Sequence, residues 1–265
     1  MRRSAPVIVI LSLLAAACGG DAGTPSTTTT LAATTTSTSA PSTTTQPAET
    51  TTTIAATTTT APTTTTTPGP TWSTLAGEPV EFGPVDGAVL MVIGVRFDDV
   101  LNLRAQPGAG QPIVGRIPPT YANLVALGHT RQLPNSFWTE VDYSGDSGWV
   151  HMSYVGYEGV TSDETAYVTD QLGEIPTAAT MRALGVMVAD LYSSDDLFSD
   201  VVQVTEVTSG DLAEVTYDVV GLADDSVLGV RLHIFAEKSG GGFTLKSVET
   251  TVICGRGVDV DDFCV

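Results

Sequence analysis

Residues 100–155 open with VLNLRAQPG (100–108) and close with FWTEVDYSGDSGWVHMSYV (137–155). Short apolar runs alternate in this stretch with turns rich in Gly, Pro, Asp and Asn. The alternation is typical of a small all-β barrel built from short strands. The segment SGDSG (144–148) supplies a hairpin turn immediately before the apolar pair Trp149 and Val150.

Apolar runs on both sides of these turns predict the strands of the barrel. The continuous run AVLMVIGV (88–95) has the length of a strand and predicts the first one. Further strands are expected at 113–117, 123–127, 137–143 and 148–151. With a polar lead-in from residue 72, the barrel is expected to occupy residues 72–157.

The same stretch resembles the bacterial SH3-like domain family. Its closing element resembles the pattern W-x-x-V-x-Y-x-G-x-x-G-W-V-x-x-x-Y, with matches at Trp138, Val141, Tyr143, Gly145, Gly148, Trp149, Val150 and Tyr154. Its opening element resembles N-V-R-x-G-P-G, with matches at Asn102, Leu103, Arg104, Pro107 and Gly108. It departs at Ala105 and Gln106, where Ser-Gly is commoner. The resemblance covers about a quarter of the chain.

The resemblance implies a binding module of the cell envelope rather than a catalytic domain. Such modules often accompany cell-wall proteins, and some of them bind peptidoglycan or its peptide stems. The candidate ligand-binding residues are aromatic side chains that a barrel could leave partly exposed: Tyr121, Trp138, Tyr143 and Tyr154. In a domain this small, a place in the core is favoured for Trp138 and Trp149 over a ligand contact. For His151, a polar contact with the following turn is favoured over a role as a ligand.

The N-terminus resembles a bacterial lipoprotein signal. Two arginines follow Met1, and the apolar run 5–17 is too short for the ~20 residues that span a bilayer. Cys18 and a Gly pair follow this run, although Ala15 stands where the pattern usually has Leu. The resemblance implies a signal peptide at 1–17, a lipid on Cys18 and a membrane-anchored protein facing the extracellular or cell-wall side. The alternative is an ordinary cleaved signal peptide with an incidental cysteine.

A threonine-rich tract follows and predicts a disordered linker over residues 18–71. More than half of residues 24–71 are Thr, and Glu49 is the one charged residue among them. Such a segment has too little apolar surface to offset the entropy of ordering. The composition also resembles that of O-glycosylated stalks. A passive tether is favoured over a binding motif.

Charge and cysteine content narrow the class of protein. The net charge of −19 repels nucleic acid and anionic lipid, so nucleic acid is not an expected partner. With Cys18 assigned to the lipid, Cys254 and Cys264 remain, and an exported protein favours a disulfide between them. Two free thiols and a metal site are the alternatives, although a metal site would need further His or Cys ligands nearby.

The C-terminal residues 160–265 predict a small α+β domain. A helix is expected within 175–192, starting near Pro176 and Thr177, because Met181, Leu184, Val188 and Leu191 recur at helical spacing. Four strands are expected at 201–207, 212–220, 227–236 and 243–253. The expected fold class is thus multidomain: a disordered linker, a small all-β SH3-like barrel, and one helix packed on an antiparallel four-stranded sheet.

No residue pattern predicts catalysis, a metal site or a cofactor. Aspartates cluster without meeting the EF-hand spacing, which favours solvated acidic loops over calcium sites; the clusters are Asp195-Asp196-Asp200, Asp224-Asp225 and Asp259-Asp261-Asp262. The histidines His129, His151 and His233 are scattered, and no nucleophile or phosphate-binding motif follows a strand.

Three functional hypotheses follow from these features. The first is a non-catalytic, membrane-anchored lipoprotein whose SH3-like module binds cell-wall peptidoglycan or an envelope protein. The second is a cell-wall-active enzyme in which that module targets a catalytic C-terminal domain. The third is an assembly or sensor protein that docks an envelope protein through an open sheet face, which a large exposed apolar patch would favour.

Overall fold

The computed structural model of the protein describes residues 74–193, 199–222 and 224–265. The predicted signal peptide, Cys18, the Thr-rich linker and the pair Asp195 and Asp196 lie outside the described residues. No helix among the described residues is long enough and apolar enough to cross a membrane.

Strands dominate the described part of the chain, which has two α-helices. The strands before residue 164 are β1 (Glu78–Val80), β2 (Val89–Val92), β3 (Leu101–Arg104), β4 (Ile113–Ile117), β5 (Leu124–Leu133), β6 (Ser136–Tyr143), β7 (Asp146–His151) and β8 (Val155–Asp163). A 3₁₀ turn at Met152–Tyr154 joins β7 to β8. The later elements are α1 (Thr165–Leu172), β9 (Thr177–Ala178), α2 (Met181–Ala189), β10 (Asp200–Gln203), β11 (Leu212–Val220), β12 (Val227–Ser239) and β13 (Gly242–Cys254).

All thirteen strands are linked by hydrogen bonds into one antiparallel sheet. Its order is β10-β11-β12-β13-β8-β2-β5-β6-β7-β3-β4, with β1 beside β5 and β9 beside β13. The expected fold class, a small barrel followed by a helix on a four-stranded sheet, is therefore wrong. The N-terminal and C-terminal strands continue into each other instead of forming separate sheets.

Strand β8 makes this connection. Val155 and Gly156 at its start pair with β2, whereas Tyr157 to Asp163 pair with β13. Gly156 and Gly159 lie at the predicted boundary between the two domains, and in the structure they allow neighbouring strands to approach closely. A Cβ on Gly156 would lie 2.8 Å from Ile253 Cγ2, and one on Gly159 would lie 2.9 Å from Cys254 Sγ. Glycine in a strand often marks such an approach.

The N-terminal strands enclose an apolar core formed by alternate residues. On β3, Leu101 and Leu103 are buried, whereas Asn102 and Arg104 stay partly exposed. The other buried side chains include Ile117, Leu124, Val141 and Val150. The period of two residues along each strand places these apolar side chains on one face.

The C-terminal strands are covered on one face by the helices. Met181, Leu184 and Val188 of α2 are buried against β11 and β12, as their spacing predicts. The helix is shorter than expected: Thr180 accepts a hydrogen bond from Ala183 N (3.1 Å) and caps its start, and residues 177–178 form β9. The helix α1, which precedes α2 in the chain, was not predicted. Val168 is its one buried residue, so its sequence gives only a weak apolar pattern at helical spacing.

A buried ion pair ties the two groups of strands together. Arg231 on β12 donates from Nε and Nη2 to the carboxylate of Asp218 on β11, at 2.7 and 2.9 Å. The same carboxylate accepts from Gly94 N (2.8 Å), and Arg231 Nη2 also donates to Val92 O (2.7 Å). Because the Asp218 side chain is fully buried, each of its contacts replaces lost hydration.

The C-terminal tail folds back beside β8. Cys254 and Cys264 form a disulfide with their Cα atoms 5.2 Å apart, which fits the predicted bridge. Val160 N on β8 donates to Asp262 O in the closed loop, at 2.9 Å. The loop is therefore attached both to the last strand and to the strand that connects the two groups.

Candidate functional site: an aromatic groove

A groove of about 610 Å³ lies beside the ends of β3, β6 and β7. Three ring side chains and three polar side chains define it, and we call it the aromatic groove; they are Trp138, His151, Tyr154, Asp99, Asn102 and Arg104. Asn102 and Arg104 come from the opening sequence element, Asp99 directly precedes it, and the three rings come from the closing element. The fold therefore joins the two ends of the 100–155 stretch in one site.

Cross-strand pairing brings two of the rings together. Trp138 on β6 lies directly opposite His151 on β7. Their ring centroids are 5.3 Å apart in an edge-to-face arrangement, and the His151 and Tyr154 rings are 5.7 Å apart. Directly opposed residues on antiparallel strands have adjacent side chains, so the register itself positions this row.

Trp138 contributes the least accessible surface of the three rings. Its side chain packs against the protein so that the residue is 4% exposed, and its indole Nε1 donates to Ser136 Oγ at 3.0 Å. Tyr154, by contrast, is 43% exposed. Tyr154 is therefore the ring of this row that a ligand can contact most directly.

His151 fixes the turn that carries Tyr154. Its Nδ1 accepts a hydrogen bond from Ser153 N at 3.2 Å and so caps the 3₁₀ turn. A ring nitrogen that accepts from a backbone N–H carries no hydrogen, so the neutral ring holds its hydrogen on Nε2. Burial lowers the pKa of His151, which favours this neutral form.

Charged and amide groups line the other side of the groove. Arg104 Nη1 donates to Gln111 O at 2.7 Å, which fixes the position of the guanidinium group. At the rim, Arg96 makes two hydrogen bonds of 2.9 Å to Asp98. The hydrogen bonds and opposite charges raise the pKa of Arg96 and lower that of Asp98.

The other two predicted aromatic residues lie elsewhere. Tyr121 and Tyr143 pack edge to face with centroids 4.9 Å apart, and both contact the core of the N-terminal strands. Tyr121 Oη lies 3.4 Å from Ser144 Oγ. Of the four candidate residues, Trp138 and Tyr154 thus share the groove, and Tyr121 and Tyr143 form a separate pair. Their part in binding stays a prediction.

Sequence reasoning did not place His151 in the site, although it anticipated its contact with the turn. The signal that could have found it is the hairpin register, because the two-residue turn Ser144-Gly145 sets Trp138 opposite His151. Asn102 and Arg104 were identified only as motif residues.

In the described aspartate clusters, Asp224 and Asp259 accept hydrogen bonds from backbone N–H groups of their own loops. Asp224 Oδ1 accepts from Ser226 N and Val227 N, at 2.8 and 2.9 Å, and these hydrogen bonds lower its pKa. Asp259 Oδ1 accepts in the same way from Asp261 N and Phe263 N. Within the described ranges, no group of three or more His, Cys, Asp or Glu residues is arranged to hold a metal ion.

Comparison with known proteins identifies one segment of the chain. The family model of the bacterial SH3 domain matches residues 99–156, which hold most of the aromatic groove. No curated protein and no solved structure shows significant similarity to the chain. Residues 99–156 are a bacterial SH3 domain.

Proposed function

We propose that the protein is a non-catalytic, membrane-anchored exported lipoprotein that binds cell-wall peptidoglycan through the aromatic groove of its SH3 domain. A bacterial SH3 domain suggests a cell-wall-binding module. The observation that carries the proposal is the row Trp138, His151 and Tyr154, which ends in an exposed ring beside Asn102 and Arg104. An exposed ring beside convergent polar groups is typical of a small-ligand site.

The test is a pull-down of the mature full chain with purified sacculi. Tyr154→Ala should lower the retained fraction several-fold, because it removes the exposed ring of the groove. Tyr167→Ala is a matched control, since Tyr167 on α1 is equally exposed, at 43%, and does not line the groove. Retention of Tyr154→Ala at the wild-type level would show that this groove is not the wall-binding site.

The non-catalytic part of the proposal has its own test. The mature chain should release no soluble fragments from sacculi during long incubation, as measured by chromatography of the supernatant. Release of fragments would support the alternative, a wall enzyme with a targeting SH3 domain.

The membrane anchor rests on the sequence around Cys18. The disulfide between Cys254 and Cys264 supports export to an oxidising compartment. Cys18→Ala should move the protein from the membrane fraction to the soluble fraction of the producing cell. If the variant stays with the membrane, the lipid is not its anchor.

A further inference from the structure

The C-terminal disulfide loop and the segment that leads into β2 form a second concave surface. A cavity of about 530 Å³ lies between them. Val85 and Val89 line it from the leading segment and the start of β2, and Val258 and Asp262 line it from the loop. We call this cavity, together with the tip of the loop at Val260, the loop surface. All of these residues lie outside the segment that the family model matches.

Large apolar side chains are exposed on the loop surface. Val260 is 98% exposed and Val85 is 70% exposed, and Val89 is also exposed. Single exposed apolar residues are common on protein surfaces and need no explanation. Several of them beside one cavity, by contrast, are typical of a surface that a partner covers.

The loop that carries Val260 is held in one shape before any partner arrives. The disulfide between Cys254 and Cys264 closes it. Inside it, Asp259 N donates to Phe263 O at 2.9 Å, and Asp259 Oδ1 accepts from two backbone N–H groups at 2.9 and 3.0 Å. A preformed contact surface loses less conformational entropy on binding than a flexible one. The loop is therefore suited to docking.

Carboxylates surround the apolar residues of the loop surface. The exposed ones that line the cavity or directly follow an exposed valine are Asp86, Glu158, Asp261 and Asp262. Among the described residues that line the cavity, Arg256 is the one cation, and its Nη2 donates to Asp225 at 2.8 Å. The loop surface thus has an apolar centre and a negative rim.

This charge distribution discriminates between possible occupants. A second copy of the chain would bring the same acidic rim, and each copy has a net charge of −19. Anionic lipid headgroups would be repelled in the same way. A protein segment with Lys or Arg around an apolar side chain is attracted at the rim and buries apolar surface at the centre.

We propose that the loop surface docks a basic protein segment. One large apolar side chain of that segment enters the cavity, and flanking Lys or Arg side chains face the carboxylate rim. The volume of the cavity lies within the range that is usual for ligand sites. This inference goes beyond the proposed function, because it uses neither the aromatic groove nor the cell wall.

The test uses the mature full chain and three dye-labelled peptides. Each peptide has a Leu-Phe-Leu centre, flanked on both sides by Lys-Arg, by Gln-Gln or by Glu-Glu. Fluorescence anisotropy should show the tightest binding for the Lys-Arg peptide. Raising the salt concentration from about 50 mM to about 500 mM should remove its advantage over the Gln-Gln peptide. Absence of binding of the Lys-Arg peptide, or equal binding of the Glu-Glu peptide, would overturn the proposal.

Variants separate docking from a general attraction between a basic peptide and an acidic protein. Val260→Ser should weaken binding of the Lys-Arg peptide by roughly tenfold, because one buried aliphatic contact is lost. Glu158→Gln should weaken it several-fold and reduce its salt dependence. Val114→Ser and Asp211→Asn are the matched controls, since both residues are exposed and lie outside the cavity. Equal binding by Val260→Ser and wild type would show that the loop is not the docking site.

Two further measurements test the other occupants. Self-association is measured by analytical ultracentrifugation, and membrane binding by flotation of the unlipidated Cys18→Ala chain with phosphatidylglycerol and phosphatidylethanolamine vesicles. We expect that Val260→Ser changes neither result. Self-association or vesicle binding that this variant abolishes would overturn the choice of a basic protein segment.

The pull-down with sacculi keeps the two proposals distinguishable. Val260→Ser should be retained on sacculi as well as wild type, whereas Tyr154→Ala should bind the Lys-Arg peptide as well as wild type. Loss of peptide binding in Tyr154→Ala would show that the peptide occupies the aromatic groove, and the docking proposal would fail.

Discussion

At the scale of single residues, the protonation state of His151 affects the turn that positions Tyr154 in the groove. Its neutral ring caps the turn that holds Tyr154 and contacts the Trp138 ring in an edge-to-face arrangement. Protonation would place a hydrogen on Nδ1, facing the N–H of Ser153, so the cap requires the neutral ring. The position of Tyr154 thus depends on the protonation state of a neighbouring residue.

This dependence predicts a pH effect on stability. Burial lowers the pKa of His151 below the value of about 6.5 that applies in the unfolded chain. The unfolded state therefore binds more protons between the two pKa values, and stability rises with pH across that window. The contribution is complete above about pH 6.5 and is lost as the pH falls through the folded pKa.

Urea unfolding between pH 5 and pH 8 measures the effect. His151→Asn should remove this part of the pH dependence, since Asn can still accept from Ser153 N but does not titrate. His129→Asn should retain it, because His129 lies outside the groove and contacts Glu140 at 2.8 Å. A ring of His151 that titrates at or above pH 6.5 by NMR would contradict the prediction.

Asp218 is the residue on which the connection between the two groups of strands depends. Asp218→Asn leaves the Arg231 guanidinium partly buried without a countercharge, which costs roughly 3–5 kcal/mol when a buried pair is broken. Chemical denaturation of both proteins measures the change. Asp225→Asn removes an exposed pair with Arg256 and should change stability little. Equal stability of Asp218→Asn and wild type would show that the buried ion pair does not stabilise the connection between the two groups of strands.

At the scale of elements, Gly185 determines how closely α2 approaches the sheet. A Cβ at this position would overlap the Tyr217 ring and lie 3.0 Å from Val215 Cγ1. Both neighbours are buried, so they have little room to move. The glycine lowers the intrinsic stability of the helix but permits its packing.

Gly185→Ala tests which of the two effects is larger. Alanine favours the helix by about 1 kcal/mol, whereas overpacking a core typically costs about 1–3 kcal/mol. We expect a net loss of roughly 1 kcal/mol, measured as a lower urea midpoint. Val186→Ala, on the partly exposed face of the same helix, is the control for propensity. A stabilised Gly185→Ala variant would mean that Tyr217 and Val215 can shift to accommodate the added methyl group at a cost smaller than the gain in helix propensity.

At the scale of the whole molecule, β8 makes the SH3 domain dependent on the rest of the chain. Ile253 of β13 packs against Met91 and Ile93, and all three are buried. Cutting the chain after residue 157 removes β13 and exposes these side chains. We expect the fragment 72–157 to lose cooperative unfolding, while 72–265 retains it.

Thermal unfolding followed by near-ultraviolet circular dichroism distinguishes the two fragments. The predicted domain boundary at residue 157 makes the opposite prediction, namely that 72–157 unfolds cooperatively by itself. A sharp transition in the short fragment would support that boundary and would show that β13 contributes little to the SH3 domain.

Part of this structure followed from local sequence patterns. The spacing of Trp, Tyr and Gly in the closing element identified the SH3 domain, because turn glycines and alternating apolar residues are local requirements. The helical spacing of Met181, Leu184 and Val188 likewise predicted the buried face of α2. The membrane anchor is an expectation from the signal-like sequence before Cys18, and the linker is an expectation from composition.

The tertiary structure decided which strands pair beyond the hairpins and which residues form the site. Gly156 and Gly159 of β8 lie where the two predicted domains meet, and a glycine that permits close approach looks identical in a sequence to one in a loop. The Trp138–His151 contact follows from the register of one hairpin, whereas the position of Asn102 and Arg104 beside these rings depends on the long-range pairing of β3 with β7. Local patterns determined the elements of this protein, whereas long-range pairing through β8 and the buried Asp218–Arg231 pair decided how they meet.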